Sequence, residues 1–142
     1  INWEDITIVR TPGKHGQGKT GEMLGPVSGF IFQAETEPTV YWVGDSIWCE
    51  EVKKTLETYS PDIIITHSGG AAFSNDSPPI IMDGAQTLST ARAAPGSWVV
   101  AVHMEALDHC RLTRNKLREM ANESGIPATR LLIPEDGETI IF

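Results

Sequence analysis

The stretch Val40–Ser46, with the sequence VYWVGDS, sets the pattern on which the rest of the chain is built. It begins as an apolar run of strand-forming residues, stops at Gly44 and then presents a single carboxylate, Asp45. The spacing of apolar residues next changes to about one helical turn, which predicts a helix with one apolar stripe. The residues of that stripe are Trp48, Val52, Leu56 and Tyr59. The stretch is therefore interpreted as a buried strand that leads directly into a helix.

Two later segments repeat this design with histidine in place of aspartate. They are Ile63–His67 (IIITH) and Val99–His103 (VVAVH). The alternation of strands and helices from Thr39 onward predicts an α/β layered fold. In such sheets the ligand site lies outside the carboxyl ends of the strands. We therefore expect Asp45 and the two strand-end histidines to lie at one edge of the sheet.

The flanking segments are predicted from turn residues and alternation. Asp5–Arg10 and Val27–Ala34 are expected to be strands. Between them, Thr11–Pro26 contains five glycines, which are expected to exclude a helix or a long strand, so a loop is predicted. The end of the chain is predicted to form a hairpin of Leu131–Ile133 and Thr139–Phe142.

Capping signals give the expected helix starts. Ser46 is the predicted N-cap of the helix after the first strand. Asp83 and Gln86 form a capping-box-like start for a helix that extends to Ala94. Thr113 is predicted to cap the last helix, which should end at a glycine.

Composition limits the class of protein. The chain has 142 residues and a formal net charge of −8, and residues 1–142 are expected to form a single domain or half-domain. Clustered Lys and Arg are missing, which argues against nucleic-acid binding. No run of about 18 apolar residues predicts a membrane span. The two cysteines have no metal-binding spacing, and a reducing, cytoplasmic location is expected.

The residue types at the strand ends point to metal chemistry. Imidazole nitrogens and a carboxylate oxygen suit zinc or a similar divalent ion. Such an ion lowers the pKa of bound water to about 7 and so supplies hydroxide as a nucleophile. The sequence contains no GxSxG nucleophile elbow, P-loop or GxGxxG after a strand.

Three segments together resemble the metallo-β-lactamase superfamily. They are Val43–Ser46, the His15 loop ahead of the Gly29–Phe32 strand, and Val102–Cys110. Within that superfamily they are most similar to the metal-dependent hydrolases that include ascorbate-6-phosphate lactonase. The resemblance implies the C-terminal half of an αββα sandwich. The HxHxDH motif of the first half does not occur in this sequence.

The resemblance implies roles for individual residues. His15 would be a ligand of a first metal, Asp45 would bridge two metals, and His103 would be a ligand of the second. Three further residues are candidates for the pocket or for positions behind the ligands: His67, Asp83 and His109. For Asp83 a role as helix N-cap is the stronger alternative, and for His67 a structural role has equal weight. Trp42 is expected in the core.

The resemblance predicts a hydrolase whose metal-bound hydroxide attacks an ester, lactone, amide or phosphodiester in a small-molecule substrate. Two alternatives remain open: a metal-free α/β module that binds a small ligand or a partner, and an iron-binding redox or oxygen-binding member of the same superfamily. Metal content distinguishes the first alternative, and the spectrum of the bound metal distinguishes the second. A half-sandwich should also leave an apolar face uncovered, so tight pairing with an N-terminal half or a second copy is expected.

Overall fold

A computed structural model describes residues 1–142, which form one mixed sheet with helices. The sheet has seven strands in sequential order. The strands are β1 (Asn2–Trp3), β2 (Ile6–Lys14), β3 (Pro26–Gln33), β4 (Val40–Trp42), β5 (Ile63–His67), β6 (Trp98–Val102) and β7 (Leu131–Leu132). The helices are α1 (Gly18–Leu24), α2 (Glu50–Tyr59), α3 (Gly84–Ala93) and α4 (Arg114–Glu123). Strands β1 to β4 pair antiparallel, whereas β4 to β7 pair parallel.

One face of the sheet is covered by helices. Tyr41, Ile64 and Val99 are direct partners across β4, β5 and β6, so their side chains point to the same face. All three are fully buried. They belong to a single core cluster to which α2 contributes Val52 and Leu56, α3 contributes Leu88 and Ala91, and α4 contributes Leu117 and Ala121. The predicted α/β layering is confirmed on this side.

The opposite face, which we call the open face, carries large aromatic side chains that are only partly covered. Phe30, Trp42 and Ile65 are direct partners across β3, β4 and β5. The exposed fractions of Phe30, Trp42 and Trp98 are 37%, 44% and 39%. The end of the chain reaches this group at Trp98, whose ring lies 5.5 Å from the Phe142 ring. The prediction that Trp42 is a core residue is therefore wrong, because strand alternation places it opposite Tyr41.

The glycine-rich segment is more ordered than the sequence predicts. Strand β2 continues to Lys14, and residues Gly18–Leu24 form α1 instead of a loop. The glycines permit close backbone packing, since a Cβ at Gly21 would lie 2.9 Å from the Gly16 carbonyl oxygen. The prediction of a loop without a helix was wrong because glycine serves here for close approach rather than for chain flexibility.

The predicted C-terminal hairpin does not form. Leu131–Leu132 instead pairs parallel with β6, and Thr139–Phe142 is in no strand. Leu131–Leu132 pairs with β6 because the backbone N–H and C=O groups along the edge of β6 need hydrogen-bond partners. The hairpin was predicted from a local turn, whereas this pairing joins residues about thirty positions apart in the sequence.

Two of the three predicted helix starts are confirmed. Asp83 accepts a hydrogen bond from the Gln86 amide, and Thr113 accepts one from the Lys116 amide. The Gln86 side chain does not return to the cap and instead accepts from the Trp48 amide, 2.8 Å away. Ser46 is not an N-cap: α2 begins after Cys49, which makes no capping bond.

None of the four helices combines the length and the hydropathy that crossing a membrane would require.

Candidate metal centre

Backbone conformations at the ends of three parallel strands place the candidate ligands. Gly44 has φ +72°, and a Cβ there would lie 2.6 Å from the Ser28 carbonyl oxygen, so the turn that presents Asp45 requires glycine. His67 is the last residue of β5. His103 follows β6 with φ +60°, a left-handed conformation that is rare for a residue with a side chain and is often found at functional sites.

The structure brings Asp45, His67 and His103 together. One possible ligand atom of each lies within 4.8 Å of the others. His67 Nδ1 is 2.6 Å from Asp45 Oδ1, and the His67 and His103 rings stack with centroids 4.8 Å apart. All three residues are partly buried. The expectation that Asp45, His67 and His103 lie together at one edge of the sheet is confirmed.

His15 lies at the end of β2 and is oriented through a backbone contact. Its Nδ1 is 2.8 Å from the Ile80 carbonyl oxygen. Because a carbonyl oxygen only accepts, Nδ1 must carry the proton, which leaves the lone pair on Nε2 available. Metal-binding histidines are commonly fixed in this way by a carbonyl on the second nitrogen. His15 is not part of the three-residue group, although its charge contributes to the electrostatics of Asp45.

The pKa of Asp45 is lowered from its ordinary value. The largest cause is the hydrogen bond from His67, and the positive charges that His67, His103 and His15 can carry act in the same direction. Partial burial opposes them. The carboxylate is therefore held in its ionised form, which is the form that binds a cation.

The other two sequence candidates lie outside the three-residue group. Asp83 has one carboxylate oxygen, Oδ1, 2.9 Å from the Gln86 amide, so it performs the N-cap role that was its stronger alternative. His109 is exposed, and its carbonyl oxygen accepts from the Ala72 amide at 3.1 Å. Participation of either side chain in catalysis stays a prediction.

Two residues beside the site were not identified from the sequence. Trp42 Nε1 donates to His67 Nε2 over 3.2 Å, and the two rings meet edge to face. Cys110 Sγ lies 3.6 Å from His103 Nδ1. Strand alternation could have indicated Trp42. Its direct partner on β5 is Ile65, and His67, two residues further along β5, is a diagonal neighbour on the same face. No signal in the sequence places Cys110 beside His103.

The donor set fits a divalent cation. One ionised carboxylate and two imidazoles converge at the strand ends, and a third imidazole, that of His15, has a free nitrogen nearby. Oxygen and imidazole ligands of this kind suit zinc, iron or manganese.

Searches for relatives show which proteins the chain is similar to. No model of a known protein family matches the chain. The UPF0173 protein YddR of Bacillus subtilis is 33% identical over 141 residues, which are 99% of this chain and 55% of YddR. A UPF0173 metal-dependent hydrolase of Methanocorpusculum labreanum is 32% identical over 75 residues, which are 49% of this chain and 34% of that protein.

Solved structures agree with these relatives. An isothiocyanate hydrolase from Delia radicum gut bacteria has a TM-score of 0.90 and 38% identity, and the match covers 100% of this chain and 56% of that one. A possible metal-dependent hydrolase from Veillonella parvula has a TM-score of 0.91 and 32% identity over 99% of this chain and 55% of that one. The metallo-β-lactamase fold protein YhfI of Bacillus subtilis shares the fold at 15% identity, with a TM-score of 0.63 over 95% of this chain and 49% of YhfI.

Sheet, helices and strand-end site define half of a metallo-β-lactamase sandwich. The chain shares the metallo-β-lactamase fold of YhfI and is similar in sequence to one half of the longer UPF0173 protein YddR. It spans about half the length of YddR and of the two most similar solved structures named above.

Proposed function

We propose that this chain supplies part of the metal site of a metal-dependent hydrolase that acts on a small molecule. The observation that carries the proposal is the convergence of Asp45, His67 and His103 at the ends of three parallel strands. The hydrolase names of the relatives support it. Zinc is the proposed metal, because carboxylate and imidazole donors suit it.

In this proposal His15, Asp45 and His103 hold the metals. His15 and His103 each have an Nε2 to which no protein group hydrogen-bonds, and the proton on His15 Nδ1 leaves the Nε2 lone pair of His15 available. Asp45 keeps one oxygen, Oδ2, free of His67. When bound, the ion acidifies water and polarises the bond to be cleaved. The residues of this chain fix the ligands and keep Asp45 ionised.

The proposed substrate has an electrophilic carbon or phosphorus that water can attack. Esters, lactones, amides and phosphodiesters are the predicted classes. The solved isothiocyanate hydrolase adds a specific second candidate, because its backbone follows this chain with a TM-score of 0.90. An isothiocyanate is therefore the first compound to test.

The proposal also assigns an occupant to the open face. The relatives are nearly twice as long as this chain, and a sandwich half needs a second sheet to bury Phe30, Trp42 and Trp98. We propose that a segment equivalent to the N-terminal half of those relatives, or a second copy of this chain, covers that face. The same segment would complete the ligand set.

Metal content and hydrolysis measured on one preparation test the function. The protein from its source should carry divalent metal and hydrolyse at least one member of a panel made of an isothiocyanate, an ester, a lactone, an amide and a phosphodiester. A chelator should abolish the activity and zinc should restore it. Asp45→Asn and His103→Ala should lose metal and activity together.

The matched control is Asp5→Asn, which removes a carboxylate from the turn before β2, at the end of that strand away from His15. It should keep both properties. A protein that carries no metal would contradict the hydrolase proposal and favour a metal-free binding module. Bound iron with a redox-active spectrum would favour the oxygen-binding alternative.

A further inference from the structure

The three histidines near Asp45 differ in whether a protein group is hydrogen-bonded to their Nε2 atom. His15 and His103 have other partners on Nδ1, the Ile80 carbonyl oxygen and the Cys110 sulfur, and no protein hydrogen bond on Nε2. His67 has both nitrogens occupied: Nδ1 lies 2.6 Å from Asp45 Oδ1, and Nε2 lies 3.2 Å from Trp42 Nε1. His67 and His103 both lie close to Asp45, so distance to Asp45 does not distinguish a histidine with a free Nε2 from one whose Nε2 is occupied.

The chemistry of Trp42 determines the protonation of His67. An indole Nε1 is a donor and never an acceptor, so the His67 Nε2 that faces it must present a lone pair. The proton of a neutral His67 is then on Nδ1, where it donates to the Asp45 carboxylate. Trp42, His67 and Asp45 form one chain of hydrogen bonds that all point the same way.

The fold positions this chain of hydrogen bonds on the open face. Trp42 is the direct partner of Ile65 on β5, and His67 lies two residues further along the same strand, on the same face. The two rings meet edge to face with centroids 5.8 Å apart. The His67 side chain is 14% exposed, so its orientation is set by these neighbours and not by solvent.

We propose that His67 is a positioning residue: Trp42 and the Asp45 carboxylate together hold it in the tautomer that is protonated on Nδ1, and it directs the Asp45 carboxylate toward the metal without binding metal itself. Of the three clustered residues, Asp45 and His103 then provide the ligand atoms. This inference rests on the proposed function only in taking Asp45 as a ligand.

The tautomer can be measured directly, whether or not metal is bound. In protein labelled with ¹⁵N-histidine and treated with chelator, the nitrogen shifts of His67 should show a protonated Nδ1 and an unprotonated Nε2. The His67 signals are identified by their loss in His67→Asn. Trp42→Phe removes the donor, but the Asp45 carboxylate still accepts from Nδ1, so the proton should stay on Nδ1 while the Nε2 nitrogen shift moves because Nε2 loses the indole hydrogen bond. Trp98→Phe changes another aromatic residue of the open face and should leave His67 unaffected. A proton on Nε2 in the unaltered protein would overturn the proposal.

Metal affinity separates positioning from ligation. The amide nitrogen of asparagine occupies the place of imidazole Nδ1, so His67→Asn keeps the donor to Asp45 and has no counterpart of Nε2. We expect His67→Asn to bind zinc within about threefold of the unaltered protein and His67→Leu to bind about tenfold more weakly, the scale of other residues that orient ligands. An equal, larger loss in both variants would mean that His67 is a ligand and would overturn the proposal.

The two failures are distinguishable. If the unaltered protein binds no zinc, the proposed function fails, while the nitrogen shifts still decide the hydrogen-bonding of His67. If zinc binds but Nε2 carries the proton or coordinates the metal, the positioning role alone fails.

Discussion

The two faces of the sheet differ in what covers them. On the helix-covered face, Ile64 and its strand partners are fully buried by α2, α3 and α4. On the open face, Phe30, Trp42 and Trp98 keep more than a third of their surface exposed. A sheet face that exposes several large aromatic residues is typical of an interaction surface. The contrast indicates that the covered face holds this chain together, and it supports the proposal that a partner covers the open face.

The division extends to the candidate site. Trp42 and His67 belong to the open face, and the Trp42 side chain is both an apolar surface and a hydrogen-bond donor to His67. A partner that buries Trp42 would therefore strengthen the hydrogen bond to His67 by removing competing water. Assembly and site geometry are physically connected through this one residue.

Alanine substitution of two adjacent isoleucines, one on each face of the sheet, should give the largest difference in stability between the two faces. Ile64→Ala deletes a side chain from the covered core and should lower the free energy of unfolding by about 2–5 kcal/mol. Ile65→Ala removes the same atoms from the open face, where burial is incomplete, and should cost on the order of 1 kcal/mol. Urea unfolding of the chain measures both values.

The same pair shows whether a partner covers the open face. In the assembled protein the cost of Ile65→Ala should rise toward that of Ile64→Ala, because its side chain would then be fully enclosed. Equal costs in the chain by itself would contradict the division between the faces.

Local pattern was enough to predict three of the parallel strands, β4, β5 and β6. In β4, β5 and β6 the apolar runs are short and lead within three residues to a carboxylate or an imidazole, so the strands, their direction and their shared edge could all be inferred. The sequence pattern does not show which face of the sheet is covered by helices. Alternation places Tyr41 and Trp42 on opposite faces, but nothing in the residues says that helices pack on only one of them.

Long-range pairing also lies outside local pattern. Strand β7 pairs with β6, and the paired residues lie about thirty positions apart in the sequence. For α1, the glycines that lower helix propensity are also those that permit the close contact between Gly21 and the Gly16 carbonyl. The ligand candidates were found because strand ends share an edge, whereas Cys110 reaches His103 through a loop contact that no periodicity describes.

Gly69→Ala tests the close packing of the loop after β5 against the segment that carries His103 and Cys110. A Cβ at this position would lie 2.3 Å from the His103 carbonyl oxygen and 2.8 Å from the Cys110 sulfur. Because the first neighbour is backbone, the segment that carries His103 must move, at a cost of about 1–3 kcal/mol. Zinc affinity should fall as well. Gly96→Ala, where no atom lies within 4 Å of the new methyl group, is the control and should preserve both properties. An unchanged Gly69→Ala protein would mean that this loop tolerates displacement.

Asp83→Ala tests a side chain assigned to the covered side. Removal of the cap on the first turn of α3 should lower stability by about 1 kcal/mol. Asp83→Asn keeps an oxygen for the Gln86 amide and should restore most of that loss. Zinc affinity should be the same in both variants, since Asp83 lies outside the three-residue group. A loss of zinc in Asp83→Ala would instead favour the catalytic role predicted from the sequence.

Asp45→Asn should have the smallest effect on stability and the one that depends most on pH. The hydrogen bond from His67 lowers the folded-state pKa of Asp45 below the unfolded value of about 4. The ionised carboxylate therefore stabilises the fold above that pH, and the contribution disappears as pH falls through the folded pKa. The Asp45 side chain is 42% exposed, so the contribution should stay below about 1 kcal/mol. Urea unfolding in chelator should show the unaltered chain more stable than Asp45→Asn near neutral pH and equally stable in strong acid, with Asp5→Asn as the control. A difference that persists or grows in acid would mean that the carboxylate is not what His67 stabilises.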